Sequence, residues 1–232
     1  MNRDEFQQQI KSAFTDFSAI FFQQIERYRN FLQAYNQHTN LTRLATDDKI
    51  YGDYFYDSII PYQKVQFKTT NSLLDIGSGS GIPGVVLLLL YPHLQLTIIE
   101  SNRKKVKFLF ALMDELKINF QILPIRAELI PDDLRDTFDL VTSRAVAPLK
   151  IILELSAPYC KVGGLIIEPK SQNAPNELNE AAPIIEALNI KLLDTLNFCS
   201  ANNHTHHVFI FQKELITNRK YPRKWTEIID EK

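Results

Sequence analysis

The chain is poor in cysteine. Only Cys160 and Cys199 occur in 232 residues, far apart and with no C-x-x-C pair, which argues against a disulfide framework or a zinc ribbon and for a reducing compartment. A dominant charge is also missing. Lys and Arg total 26 against 27 for Asp and Glu, a formal net charge of -1, so no global positive field gathers polyanions and any RNA contact must rest on a local patch. Long apolar runs are absent too. The longest, Val85 to Leu90 (VVLLLL), falls well short of the roughly 20 residues that span a bilayer, and the opening MNRDEFQQQI has no apolar targeting segment. A cytoplasmic protein with no membrane partner is expected. Glycine is scarce, seven residues in all, so a run that uses it at alternate positions stands out. What the chain does have is 45% hydrophobic residues, sufficient for the core of one sizeable domain, with or without an appendage.

From Ser72 onward, short runs rich in β-branched residues alternate with helical patterns, the signature of a doubly wound α/β sheet. The strands read as SLLDI, LQLTIIE, NFQILPI, FDLVTSR, GGLIIEPK, KLLDTLNF and HHVFIFQK. About five helices are expected between them. In SNRKKVKFLFALMDELK, Val106, Leu109, Phe110 and Met113 recur at i, i+3, i+4 and i+7, with Ser101 or Asn102 available as N-cap. Pro83 and Pro148 suit first helical turns, and Pro92 closes the helix that begins near Gly84. Residues 1–60 differ in character. They are Gln-rich, with Phe21, Phe22, Ile25, Tyr28, Phe31, Leu32 and Tyr35 in helical spacing, which predicts a helical cap over the sheet. The expected division is a cap (1–60), an α/β domain (61–216) and a short basic tail (217–232).

The stretch LLDIGSGSGIPG, Leu73 to Gly84, carries two overlapping patterns. Gly79, Gly81 and Gly84 spell the dinucleotide fingerprint G-x-G-x-x-G; Asp75, Gly77, Gly79 and Gly81 spell the D-x-G-x-G-x-G of an S-adenosylmethionine loop. Both ligands contain adenosine, and Glu100, closing the second strand, suits a ribose in either case. Asp75 discriminates. A carboxylate about 4 Å from a pyrophosphate would repel it by several kcal/mol at an effective dielectric of about 20, whereas S-adenosylmethionine brings an ammonium and a sulfonium. Spacing agrees, because the dinucleotide reading would leave Gly77 and Ser78 between strand and fingerprint. A late hairpin, KLLDTLNF then HHVFIFQK, also implies an antiparallel last strand, as in the methyltransferase variant of the sheet.

With these motifs the chain resembles the bacterial small-subunit ribosomal RNA guanine-N7 methyltransferases, once called glucose-inhibited division protein B. The resemblance runs over most of the chain and is carried by Asn40-Leu41-Thr42, Tyr56-Asp57-Ser58, the Asp75–Gly84 loop, Glu100-Ser101-Asn102-Arg103-Lys104, Arg126-Ala127-Glu128, Ser143-Arg144-Ala145-Val146-Ala147 and Lys220-Tyr221-Pro222-Arg223-Lys224. It implies a Rossmann-like class I S-adenosylmethionine-dependent methyltransferase fold, and a seven-stranded doubly wound sheet with an antiparallel last strand. It further implies cofactor contacts at Gly77, Ile82, Ala127, Glu128 and Arg144, with Glu100 on the ribose. Asp75, Gly79 and Gly81 complete the cofactor loop. The implied substrate is 16S rRNA within the small ribosomal subunit, with no obligate protein partner. Three departures stand out. Tyr54 occupies a place where many members have histidine, Glu168-Pro169-Lys170-Ser171 replaces a leucine-lysine-glycine, and Trp225-Thr226-Glu227 ends the tail differently.

Guanine N7 has an in-plane lone pair and no proton, so displacement at the sulfonium methyl needs no general base. In-line placement can carry much of the rate, since orientation contributes roughly 7–11 kcal/mol in favourable cases. Arg144 and Lys170, at the ends of the fourth and fifth strands, are the candidate catalytic residues; Arg144 suits a methionine carboxylate or an RNA phosphate, Lys170 the RNA. Asp57 and Tyr54 are candidates to stabilise the cationic product. Basic clusters on the second sheet helix (Arg103, Lys104, Lys105, Lys107) and in the tail (Arg219, Lys220, Arg223, Lys224, with Tyr221 as a stacking surface) are candidates for RNA contact. His204, His206 and His207 make no metal set, because adjacent strand residues face opposite ways and no further ligand completes them. The competing readings are a noncatalytic RNA-binding assembly factor, a methyltransferase with a protein or small-molecule acceptor and, last, a dinucleotide oxidoreductase.

Overall fold

The computed structural model describes residues 1–39, 46–201 and 205–230. Asn40-Leu41-Thr42 and His204 lie outside them. The sheet strands are β1 (Ser72–Ile76), β2 (Gln95–Ile99), β3 (Gln121–Leu123), β4 (Phe138–Ser143), β5 (Cys160–Lys170), β6 (Ile190–Cys199) and β7 (Thr205–Lys213). All seven match the expected segments, and they form one sheet in the order β3-β2-β1-β4-β5-β7-β6. β1 to β5 pair in parallel, while β7 inserts antiparallel between β5 and β6. Strand order reverses between β1 and β4, and a sheet of this kind opens a ligand crevice at the carboxyl ends of the strands there.

The helices are α1 (Arg3–Ala13), α2 (Phe21–Thr39), α3 (Asp47–Lys49), α4 (Asp57–Ile59), α5 (Gly84–Leu90), α6 (Arg103–Leu116), α7 (Leu149–Ser156), α8 (Ala174–Ala187) and α9 (Trp225–Asp230). A wider helical turn, Ile50–Tyr56, joins α3 to α4. Four of the helices, α5 to α8, connect strands, where about five were expected; the β3–β4 connection is made by two 3₁₀ turns, Ala127–Leu129 and Asp132–Leu134.

Every residue of α5 is buried. A helix apolar on all sides needs cover on all sides, and α5 receives it from the sheet on one face and α2 on the other. The same cover explains a difference in α6. Its buried residues are Val106, Phe108, Leu109, Leu112 and Leu116, whereas Phe110 is 48% exposed. The stripe is rotated toward α2, whose Phe31 and Tyr35 rings lie 5.5 and 5.1 Å from Phe108. Asn102 caps α6, accepting from the Lys104 and Lys105 N–H groups.

Strand residues alternate between two apolar clusters, as a two-residue period requires. Leu73, Leu96, Ile98 and Leu140 join α5, α6 and the amino-terminal helices in one; Leu74, Ile76, Ile99 and Val141 join α7, α8 and the tail in the other. Phe6, Ile10, Phe21, Ile25, Tyr28 and Leu32 belong to the first cluster. Each large side chain so covered contributes about 1.5–3 kcal/mol, so the amino-terminal helices share a core with the sheet. On the other face Tyr221 and Ile228 of the tail are buried.

Candidate active site

The glycine loop leaves β1 at the reversal of strand order. Gly77, Gly79 and Gly81 have φ of +72°, +64° and +100°, a region that glycine enters without the steric penalty of a Cβ. Gly77 is also hemmed in. A Cβ there would lie 2.5 Å from Val146 Cγ2. From the opposite side, the buried Tyr28 hydroxyl donates to the Ser80 carbonyl, and the Tyr54 hydroxyl sits 2.7 Å from Ser80 Oγ. Burial pushes the Tyr54 phenol up to about 12 and that of Tyr28 well above its ordinary value, so both remain protonated.

Asp75 does not face the ligand side of the loop, as its expected contact with the cofactor requires. Its carboxyl lies behind the loop, fully buried, with Oδ2 accepting from the Gly84 N–H at 2.8 Å. Oδ1 has no hydrogen bond of acceptable geometry, although the Ser78 hydroxyl lies near enough to act on the carboxyl. Burial raises its pKa to about 7, opposed by the Ser78 hydroxyl and the Gly84 N–H. Glu100 also turns back onto its own chain. Its two carboxylate oxygens accept from the N–H groups of Gly79 (2.9 Å) and Asn102 (2.7 Å).

Four of the expected residues meet in one cleft. Gly77, Glu100, Ala127 and Glu128 line a cavity of about 150 Å³ together with Val146 and Trp225. Ile82 is not on its wall; it packs against the apolar cluster beneath the loop. Gly79 and Gly81 shape the loop without facing the cavity. Trp225, noted in the sequence only as a departure, supplies an aromatic wall. No spacing rule links residue 225 to the glycine loop, because only the folding of the tail over α7 brings them together.

Arg144 and Lys170 line a neighbouring cavity of about 430 Å³, with Asp57, Phe198 and His206. Val146 and Ala147 border both cavities. The expected freedom of the two cations to reach reactants is not what the structure presents. Arg144 donates to the Asp53 carbonyl (2.6 Å), the Tyr54 carbonyl (3.3 Å) and Ser58 Oγ (2.5 Å), tying the end of β4 to the amino-terminal helices. Burial lowers its pKa, opposed by the charge of Asp57. Lys170 donates to the Ala147 carbonyl (2.6 Å) and pairs with Glu177 (3.2 Å). Glu177 in turn accepts from the Leu149 N–H at 2.7 Å. Both cations therefore hold the 144–149 segment in place. Beneath them Glu168 is fully buried, accepting from Ser143 Oγ at 2.6 Å, and burial raises its pKa to about 8.

Tyr54 points under the loop and away from the second cavity, whereas Asp57 lines it. In the tail, Arg223 grips buried Glu154 at 2.7 Å, and Tyr221 is 6% exposed, which removes its ring as an open stacking surface. Arg219, Lys220 and Lys224 remain exposed. Among the described residues no group of His, Cys, Asp or Glu is arranged to hold a metal ion, and no helix is long and apolar enough to cross a membrane.

Comparison with known proteins agrees with this arrangement. The chain is 41% identical over 233 residues to the ribosomal RNA small subunit methyltransferase G of Ureaplasma parvum serovar 3, covering 99% of this chain and 98% of the relative. It is 37% identical to the protein of the same name from Streptococcus gordonii, over 97% of this chain and 96% of the relative. Among solved structures, a methyltransferase from Thermoplasma acidophilum superposes with a TM-score of 0.53 at 15% identity, over 64% of this chain and 70% of that one. The StiE O-MT structure does so at 0.57 and 13% identity, over 82% and 81%. These two support the fold alone. The family model described as rRNA small subunit methyltransferase G matches residues 22–208, and the chain belongs to that family.

Proposed function

We propose that this protein transfers the methyl group of S-adenosylmethionine to N7 of a guanine in 16S rRNA, with the small ribosomal subunit as its substrate in the bacterial cytoplasm. The observation that carries the reading is the convergence of Gly77, Glu100, Ala127 and Glu128 on one cleft at the reversal of strand order. The cofactor supplies an electrophilic methyl on a sulfonium. The residues present fit it. Each Glu100 oxygen accepts one backbone N–H and keeps lone-pair capacity for a ribose hydroxyl. Ile99, Ile125 and Trp225 give the cleft apolar walls for an adenine, and the orphaned Oδ1 of Asp75 puts latent negative charge behind a loop that would face a cation. Residues 1–60 would then act as a cap over the cofactor loop, 61–216 as the catalytic body and 217–232 as a tail that completes the cofactor wall.

N7 attack draws on no proton acceptor, so the chain's contribution is placement. Arg144 and Lys170 contribute by fixing the segment between the two cavities, which is a positioning role. The test is to incubate the protein and cofactor with unmethylated small subunits and with protein-free 16S rRNA, then digest and weigh the nucleosides. A 7-methylguanosine is expected, formed faster in the subunit. Its absence from both would overturn the proposal.

Trp225 offers a second check, since the chain has a single tryptophan. Titration with S-adenosylmethionine is expected to change its emission saturably, and Trp225→Ala to weaken cofactor binding about 10-fold, within the ~1–3 kcal/mol range of base–aromatic stacking. Unchanged emission at cofactor saturation would remove Trp225 from the site.

A further inference from the structure

We infer that the cavity beside Val146 receives the target guanine, with the Phe198–His206 ring pair as its stacking face and Asp57 as the acceptor for the base's N1–H and 2-amino donors. The inference rests on the functional reading above and goes beyond it by naming the residues that select the base.

The cavity opens at the carboxyl end of the parallel sheet, beside the ends of β4 and β5, and shares Val146 and Ala147 with the cofactor cleft. Its volume, about 430 Å³, accommodates a nucleobase. A base that undergoes chemistry must leave its stack, and enzymes recover that loss with an aromatic face and contacts to the base edge. Phe198 and His206, on adjacent strands, stack on one another with ring centroids 5.2 Å apart and planes within 21°, so one ring backs the other and a base would stack on the outer face of the pair.

Charge then decides which base fits. The two cations that line the cavity are already engaged, Arg144 by carbonyls and Ser58, Lys170 by Glu177 and Ala147. Asp57 has one oxygen on the Ala201 N–H, at a long 3.3 Å, which leaves lone pairs toward the cavity. A carboxylate accepts two parallel N–H donors. Guanine alone presents two adjacent donors, N1–H and the 2-amino group; adenine, cytosine and uracil each set an acceptor in or beside that position. The same contact favours the reaction. Methylation at N7 makes the ring cationic, so its N1–H becomes a stronger donor as the bond forms, and the Asp57 contact tightens toward the transition state.

The experiment maps the methylated guanine by mass spectrometry, then compares subunits reconstituted from 16S rRNA ligated with guanosine or inosine at that position, inosine lacking only the 2-amino group. Wild-type protein is expected to prefer guanosine about 10-fold in kcat/KM, and Asp57→Ala to lose that preference. Asp57→Asn, which keeps the size of the side chain beside Arg144, provides the same comparison if the alanine variant does not fold. Phe198→Ala is expected to lose about 10-fold on both substrates, while cofactor affinity, followed by Trp225 emission, stays unchanged in all variants. An equal guanosine-to-inosine ratio in wild type and Asp57 variants, or full kcat/KM in Phe198→Ala, would overturn the base pocket alone. A wild-type protein that takes up cofactor but methylates no guanine would overturn the functional reading, and the pocket with it.

Discussion

Gly77→Ala is expected to weaken S-adenosylmethionine binding at least 10-fold and to destabilise the fold by about 2–5 kcal/mol. Two separable penalties add. A left-handed φ costs an L-residue about 1–2 kcal/mol, and the new methyl would sit 2.5 Å from Val146 Cγ2, an overpacking of the kind that costs about 1–3 kcal/mol. Neighbouring Gly79 separates them. Its φ is also positive, at +64°, but the nearest atom to a methyl placed there is the mobile Lys105 Nζ at 3.7 Å, so Gly79→Ala should carry the conformational penalty only. Adding Val146→Ala to Gly77→Ala should recover the steric part and leave the rest. Urea unfolding gives the stabilities and calorimetry the cofactor affinities. Equal losses for the two single glycine variants would show that Val146 does not press on Gly77.

Wild-type stability should fall by several kcal/mol between pH 5 and pH 8.5, the reverse of ordinary acid denaturation. Burial raises Asp75 to about 7 from 3.8 and Glu168 to about 8 from 4.5. Between those limits the folded chain holds protons that the unfolded chain has released, so stability is fully present below the unfolded values and is lost as pH rises through the folded ones. At about 1.4 kcal/mol per unit, each carboxyl accounts for on the order of 4 kcal/mol across its window. Asp139, held down to about 2 with Lys161 and the Asn71 and Ser72 N–H groups as its partners against burial, works in the opposite sense. Its contribution is lost only as pH falls below about 4, outside the window. Asp75→Asn should remove its share of the fall, up to about pH 7, and leave that of Glu168; Glu168→Gln should remove its share, up to about pH 8, and leave that of Asp75; only the double variant should be level. Denaturant titrations at half-unit intervals measure this; a wild-type profile that is level or rising from pH 5 to 8.5 would mean that neither carboxyl is held protonated.

What was legible in the sequence were the features set by neighbours along the chain. Strand periodicity located all seven strands, and alternate glycines marked the loop, because left-handed turns leave that residue as their trace. The hairpin signal before HHVFIFQK anticipated the antiparallel strand. What remained hidden was set by tertiary approach. The stripe on α6 turned out to be rotated because α2 covers Phe108, and no pattern within α6 reports a helix lying elsewhere in the chain. Asp75 was expected to meet the cofactor, since strand-end position says nothing of which side of the loop the carboxyl occupies. Arg144 and Lys170 are where strand ends predict them, yet their partners, Ser58 and Glu177, come from distant elements. Trp225 and Phe198 reach the two cavities only through the packing of the tail and of the β6–β7 hairpin.

The position of β7 bears on the order in which the molecule can be built. Among the described residues β6 pairs with the sheet only through β7, so a nascent chain that has already emerged through Cys199 still has no slot for that strand. Five parallel strands can associate as they leave the ribosome, but β6 must wait, with its backbone unpaired, until residues 205–213 follow and slide in beside β5. Non-local pairing of this type is slow and leaves an open edge meanwhile. The wall that carries Phe198 and His206 would therefore be the last part of the sheet to form during synthesis.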